Sequence, residues 1–380
     1  MRTEQTRWTE GKGWEPRTPG AELGSAAQLV LLFGGTDLLK DGTRLQEVKH
    51  AYPGASLLGC STSGEIFRTE VTDDSLVATA VHLEHTKVQG AQTTVEDASQ
   101  SYQAGERLAA ALPKDGLTHI FVLSDGLKVN GTDLVAGLTK SLPTNVTVTG
   151  GLSGDGARFK ETLVFWNAEP GVDRIAAIGF YGGRLKIGYG SLGGWDPFGP
   201  ERLVTKAKGN VLYELDGGSA LELYKKYLGE HAAQLPASGL LFPLALRTKG
   251  SDAPVVRTIL SVSEADQSMT FAGDIPEGAY AQLMKANFDR LVDGAHGAAK
   301  TSHEALGKAS TGLAVLISCV GRKLVLKQRI EEEVEAVRDV LGDGATLTGF
   351  YSYGEISPFT PGAKCELHNQ TMTITTFSES

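Results

Sequence analysis

Cysteine is scarce in this chain: Cys60, Cys319 and Cys365 are the only three in 380 residues, an odd number with no C-x-x-C pair. That argues against a disulfide framework and against a thiolate zinc site, and leaves three thiols expected to be free. Long apolar runs are missing too, so no membrane-spanning segment is expected. Met1 to Ala27 is polar and charged, without the apolar core or small-residue cleavage site of a secretory signal, and residues 1–26 read as a partly disordered lead-in to a cytoplasmic protein. Basic residues are in deficit, 36 against 45 acidic ones, giving a formal charge of −9 and no general attraction to phosphate backbones or anionic lipid. Neither a nucleic acid nor a membrane is expected as a partner. The eight histidines are scattered, and His82 and His85 would point to opposite faces of one strand, so no metal cluster is expected.

What is present is a globular composition, 41% hydrophobic with 47 glycines, at a length that suits two or three domains. Gly59-Cys60-Ser61-Thr62-Ser63-Gly64-Glu65-Ile66 and Gly349-Phe350-Tyr351-Ser352-Tyr353-Gly354-Glu355-Ile356 write the skeleton G-x-x-x-x-G-E-I twice. This internal repeat points to two related α/β units with glycine-bounded loops at their strand ends. Three passages read strand, turn, helix, strand, loop: from Leu29 into Gly59, from Ile120 into Gly150 to Gly156, and from Leu313 into Gly349. In the last, Cys319 to Arg322 forms a turn and Leu326, Ile330, Val334, Val337 and Leu341 mark one helix. Such passages imply parallel strands with right-handed crossovers. Leu76 to Leu83, Ile175 to Phe180, Val255 to Val262 and Thr371 to Phe377 alternate as antiparallel strands do, so the sheets are expected to be mixed. The expected fold class is α/β, two related domains with mixed β-sheets and βαβ units, divided near Gly218.

A P-loop needs Lys directly after its last glycine, and here Glu65 and Glu355 stand in that place. A carboxylate repels phosphate and favours an ammonium or a hydrogen-bond donor, so the loops suit an amino-acid-like or neutral polar ligand. The competing reading is that each Glu caps a turn. Cys60 lacks a recognisable partner for nucleophilic work, and a buried inert thiol is the alternative. His119 and His368 share strand parity with apolar residues and read as core histidines. Arg322 is expected opposite Glu355, pairing with it or with a ligand carboxylate. Gly193 to Phe198 reads as a loop whose aromatics anchor it to the core.

With Gly150 to Gly156, Leu215-Asp216-Gly217, Ala220 to Tyr224, Ser318 to Arg322 and Leu367-His368-Asn369-Gln370-Thr371 added in order, the chain resembles the FIST family of bacterial and archaeal sensory proteins over Ala27 to Phe377. The resemblance implies residues 27–217 as a FIST N-like domain and 218–378 as a FIST C-like domain. It implies a signal-input module for a small ligand, often proposed to be an amino acid. With no output domain following, the expected partner is a separate histidine kinase or cyclic-di-GMP enzyme. Some stand-alone members look like haem-binding nitric oxide sensors, and on that reading haem b would be held by one axial side chain, His368 or His231. The other readings are a metabolite sensor without haem and a Cys60-dependent hydrolase or transferase. The expected ligand site lies between or beside the two loops, with Glu65 and Glu355 orienting the ligand, Ser63, Ser153 and Ser352 supplying hydrogen bonds, and Cys60, Ser61, Gly64, Asp155, Arg322, Tyr353, Gly354, His368 and Asn369 around them.

Overall fold

The apolar runs that begin the three passages become strands buried along their whole length, as strands packed between an inner core and a helix layer must be. In the computed structural model, which describes residues 1–15, 22–248, 254–359 and 362–379, Leu29–Gly34 runs parallel to Ser56–Ser61, Leu117–Ser124 to Thr147–Leu152, and Leu313–Cys319 to Thr346–Ser352. The helices Thr43–Ala51, Gly131–Thr139 and Ile330–Leu341 lie on the connections. Each pair is extended in the same way. Leu76–His82, Arg174–Tyr181 and Met372–Glu379 flank the first strand antiparallel, and Arg2–Thr9, Lys87–Thr94 and Leu185–Leu192 flank those. The mixed sheets, the βαβ units and the internal repeat are therefore all present, and the repeat occurs three times.

The three copies are tied into a ring by strand exchange. After its second parallel strand, each copy sends the chain into a neighbour's sheet: Glu65–Phe67 pairs with Thr346–Ser352, Gly354–Pro358 with Thr147–Leu152, and Val164–Trp166 with Ser56–Ser61. The first copy thus lends a strand to the third, the third to the second, and the second to the first. At the crossing points Ser63 N–H donates to Tyr351 O at 2.8 Å, Tyr353 N–H to Leu152 O at 3.2 Å, and Gly154 N–H to Ser61 O at 3.0 Å.

Alternation along the strands divides inside from outside. Leu31 and Phe33, Phe121 and Leu123, Val315 and Ile317, with Phe350 and Phe377, face a shared central core. The opposite faces carry the helices: Leu45 and Val48 pack on the first sheet, Leu134 and Leu138 on the second, Val334 and Val337 on the third. A fourth, antiparallel sheet with its own core around Leu212, Leu221, Met269 and Phe271 is inserted into the third copy, between Leu185–Leu192 and the helix Phe288–Ala305. It begins with Trp195–Lys208 and returns through Tyr280–Ala286, which pair with each other.

The sequence division near Gly218 falls inside this inserted sheet, in the turn between Val211–Leu215 and Gly218–Ser219. Strands from both sides of it share the second and third sheets.

Five local expectations are corrected. The lead-in is not disordered where it is described: Arg2–Thr9 pairs with Leu76–His82 over seven residues, while the part at 16–21 lies outside the described residues. The aromatic segment after Gly194 is the start of the strand Trp195–Lys208, although Trp195 does anchor it, buried and donating its indole N–H to Gln370 O at 3.0 Å. Cys319 to Arg322 does not turn but leads into a helix, Val320–Leu326. Lys327, at φ 50°, breaks the expected single helix before Ile330–Leu341 begins. Val255 to Val262 is divided between the strands Val255–Arg257 and Ile259–Ser263.

The glycine that opens each loop motif is explained by close backbone approach. Gly59, Gly150 and Gly349 pair with Leu32, Val122 and Leu316, and a Cβ on them would lie 2.3, 1.9 and 1.8 Å from those residues' carbonyl oxygens. Backbone cannot rotate away as a side chain can. Gly349→Ala is expected to cost about 3 kcal/mol or more in denaturant unfolding, whereas Gly344→Ala, with no atom within 4 Å of its Cβ position, should change stability by less than about 0.5 kcal/mol.

Candidate functional site

The two repeated glutamates occupy equivalent positions and make equivalent bonds. Thr62 Oγ1 donates to Glu65 Oε1, and Ser75 donates to Oε2 from its N–H at 3.0 Å and its hydroxyl at 2.7 Å. Ser352 Oγ donates to Glu355 Oε1 at 2.6 Å, and Thr371 donates to Oε2 from its N–H at 3.2 Å and its hydroxyl at 2.9 Å. Each carboxyl thereby pins its loop to the residue just before the next long strand, Leu76–His82 or Met372–Glu379. Both are buried. In the second copy Val164, which pairs with Cys60 as Glu65 pairs with Phe350, stands where the carboxyls stand. Burial pushes Glu65 up to about 7 and Glu355 up to about 8, against the hydrogen bonds that pull both down.

Of the other expected site residues, three converge at the ring of crossing loops. Ser63 Oγ donates to Gly156 O and accepts from Gly156 N–H, both at 3.1 Å. Tyr353 donates its hydroxyl to Asp155 and stacks on Phe159 at 4.6 Å. Asp155 also accepts the N–H groups of Phe159, Lys160 and Glu161, which shapes that turn. Gly64 and Gly354 bound these crossings, and Gly64 lies against the Lys323 ammonium, which donates to Ser63 O at 2.9 Å. Ser61 and Ser153 are turned to their own surroundings, Ser61 Oγ accepting from Leu163 N–H and Ser153 Oγ donating to Ser124 O, each at 2.8 Å. Cys60 points into the central core, where burial raises its thiol well above the usual range. Burial in apolar surroundings disfavours the thiolate that a nucleophile needs.

Arg322 does not pair with Glu355. Its side chain is fully buried and binds Glu333 through Nε at 3.0 Å and Nη2 at 2.8 Å, with further bonds to Gly193 O and Leu291 O. Glu333 is completed by Ser318 Oγ at 3.0 Å and Tyr351 Oη at 2.6 Å. The partner was marked only by the acidic run Glu331-Glu332-Glu333 that opens the next helix.

His119 is the core histidine expected, held between Thr147 and Thr149. His368 is also buried: Nε2 lies 2.7 Å from Ser357 O, the ring meets Phe359 edge-on at 4.2 Å, and burial lowers its pKa to about 4. Its Nδ1 has no partner. With Nε2 held by the Ser357 carbonyl, Nδ1 is the nitrogen that His368 would offer an axial metal, and the ring lines none of the grooves described below; His231 is exposed on a short 3₁₀ segment beside Phe242. Asn369 instead stitches two parts of the chain together, accepting from Thr258 N–H at 3.3 Å and donating to Tyr353 O at 3.2 Å.

The open space lies elsewhere. A groove of about 970 Å³ runs beside Pro358 and Phe359, walled by Thr132, Val135, Val148, Leu367 and Arg257. None of the expected ligand-site residues lines it. Arg257 escaped sequence reasoning because a lone arginine ending Val-Val-Arg reads as an ordinary strand residue. It is 7% exposed, and burial lowers its pKa to about 10.

A FIST N domain model matches residues 28–218 and a FIST C domain model matches residues 220–358. An uncharacterized protein of Methanocaldococcus jannaschii is 28% identical over 230 residues, which is 55% of this chain and 41% of that protein, so the match spans about two fifths of the relative's length. Among solved structures, a chorismatase is similar over 99% of this chain and 98% of its own, at 9% identity and a TM-score of 0.35. A cyanuric acid hydrolase from A. caulinodans is similar over 94% and 91%, at 8% identity and a TM-score of 0.34.

The raised carboxyls fix a pH dependence. In the fold Glu65 and Glu355 keep their protons up to about 7 and 8, whereas the unfolded chain loses them near the ordinary glutamate value of about 4.3. Their contribution is fully present below that value and is lost as pH rises through 7 to 8, at about 1.4 kcal/mol per pH unit for each carboxyl. The double variant Glu65→Gln/Glu355→Gln should therefore show a flatter fall in stability between pH 5 and 7 than the parent, measured by denaturant unfolding. Parallel curves would show that neither carboxyl holds its proton in the fold.

Proposed function

The chain belongs to the FIST family, whose domains are associated with the sensing of small ligands in signal transduction, and from that premise we propose a sensory module that binds a small metabolite without haem. The observation that carries this reading is the groove at Arg257, because its walls come from three parts of the chain. The helix Gly131–Thr139 and strand Thr147–Leu152 belong to the second copy, Cys365–His368 to the third, and Val255–Arg257 to the inserted sheet. A ligand that fills it touches body and insert at once, and so favours one placement of the insert over others, which is what an input module requires. The output passes to a separate signalling protein, of the histidine kinase or cyclic-di-GMP enzyme class. The two G-E-I loops act as the fixed frame against which that change is read.

Hydrogen exchange with a metabolite panel preselected by thermal shift tests this. A binding metabolite should slow exchange in 132–148, 255–262 and 364–371. Protection confined to 59–66 and 349–356 would return the ligand to the G-E-I loops and overturn the groove reading. Titration with haemin should leave the spectrum of free haemin; a sharp Soret band that shifts with nitric oxide would overturn the reading without haem.

A further inference from the structure

The guanidinium of Arg257 is held but not neutralised. Nε donates to Asp274 O at 3.3 Å, and Nη1 to Val256 O at 3.4 Å and Leu367 O at 2.9 Å. All three acceptors are backbone carbonyls. Nη2 donates to no described residue, and the Arg257 side chain lines the groove. Asp274 and Glu366 are close enough for their charges to raise the Arg257 pKa, yet neither bonds it: the Asp274 carboxylate takes the amide of Asn130 at 2.7 Å instead. A buried cation is costly unless paired, and among the described residues no carboxylate bonds this one.

The rest of the groove says what the partner looks like. Lys140, Lys364 and Glu366 join Arg257 in the described charged lining, and because Lys140 is paired with Glu106 at 2.8 Å, Arg257 and Lys364 stand against the single carboxylate of Glu366. Such a wall disfavours a ligand that also carries an ammonium group. Val135, Leu142, Val148, Phe359 and Leu367 supply an apolar bed beside the guanidinium. We propose that the groove is the binding site of a small organic acid, its carboxylate paired with Arg257 Nη2 and its apolar body lying along Val135, Phe359 and Leu367. The assignment rests on the sensory reading of the groove and names the ligand class for it. It also accounts for an arginine at this point, since a planar donor already locked by three carbonyls presents its remaining N–H groups without further ordering.

The probes are phenylacetate, its neutral counterpart phenylacetamide and the cation phenethylamine, titrated against the full chain by saturation-transfer NMR. Phenylacetate should bind with a Kd of about 1 mM, as expected of a fragment of that size, and the other two at least about tenfold more weakly. Arg257→Met should abolish binding, and Arg257→Lys should weaken it about tenfold because an ammonium offers no planar fork. Ala136→Trp, which fills the groove from an exposed position on its helix wall, should abolish binding without touching Arg257, and it keeps the test decisive where Arg257→Met does not fold. Equal binding of phenylacetamide, lost in Ala136→Trp, would overturn the role of Arg257 while leaving the groove in place. Absence of phenylacetate binding, or retention of it in a folded Arg257→Met, would overturn the proposal. If Ala136→Trp also left every metabolite found by hydrogen exchange bound, the groove reading itself would fall.

Discussion

Closure of the strand exchange is the constraint on which the rest of this structure depends. Each sheet is complete only when a neighbour's strand occupies its edge, and Glu65–Phe67, Gly354–Pro358 and Val164–Trp166 fill those edges in a cycle with no free end. An edge left empty would expose the unpaired N–H and C=O groups of Ser56–Ser61, Thr147–Leu152 or Thr346–Ser352 beside an apolar core. Because each crossing depends on the other two, the loops cannot shift one at a time. The glycines at 59, 150 and 349 follow directly, since each crossing brings the backbone onto a parallel neighbour with no room for a Cβ.

The buried polar groups read as consequences of that ring. A chain that leaves one sheet for another must turn while buried, and its polar atoms must be satisfied there. Glu65 and Glu355 do this with Thr62, Ser75, Ser352 and Thr371, holding each turn to the strand that follows. The second copy solves the same problem with a longer loop, in which Asp155 gathers three backbone N–H groups and the Tyr353 hydroxyl. Arg322 and Glu333 do the equivalent for the helices of the third copy. Breaking such a pair from one side leaves an uncompensated buried charge, at a cost of about 3–5 kcal/mol. The repetition of G-E-I thus records a repeated architectural problem as much as a repeated chemistry.

How much of this the sequence disclosed depends on how local each feature is. The three strand, helix, strand passages were legible because apolar runs and three-to-four spacing are properties of neighbouring residues. Strand exchange was not, because which strand completes a sheet is decided across the whole chain. Arg2–Thr9 was hidden for another reason: Arg-Thr-Glu-Gln-Thr-Arg-Trp-Thr carries no apolar alternation, yet Glu4, Gln5, Thr6 and Arg7 are buried by polar contacts such as Gln5 Nε2 with Leu347 O at 2.8 Å and Arg7 with Glu15 and Glu70. Of the candidate site, the sequence singled out the loops with repeated residues and missed Arg257, whose meaning arises only from carbonyls brought to it from Asp274 and Leu367.

The contrast between ring and insert then explains why a ligand would bind where the groove is. The ring is closed on itself, so a ligand at its centre has little to move. The insert leaves the third copy and returns to it through one antiparallel ribbon, Trp195–Lys208 with Tyr280–Ala286. Apolar contacts hold it to the body as well, Ala245 and Met284 against Leu291 and Val325, and Leu240 and Ala272 in the core of the second copy. Beside the groove the contacts are polar stitches, Thr258 with Asn369, Gln370 with Leu240 and Thr258, Arg257 with Leu367, worth on the order of 1 kcal/mol each. A ligand that adds a charge-assisted bond to Arg257 is comparable with any one of those stitches, whereas the ring offers no such local contact to compete with. On the proposed reading, sensitivity to a small molecule belongs at that seam, where the guanidinium of Arg257 is bonded to carbonyls and to no described carboxylate.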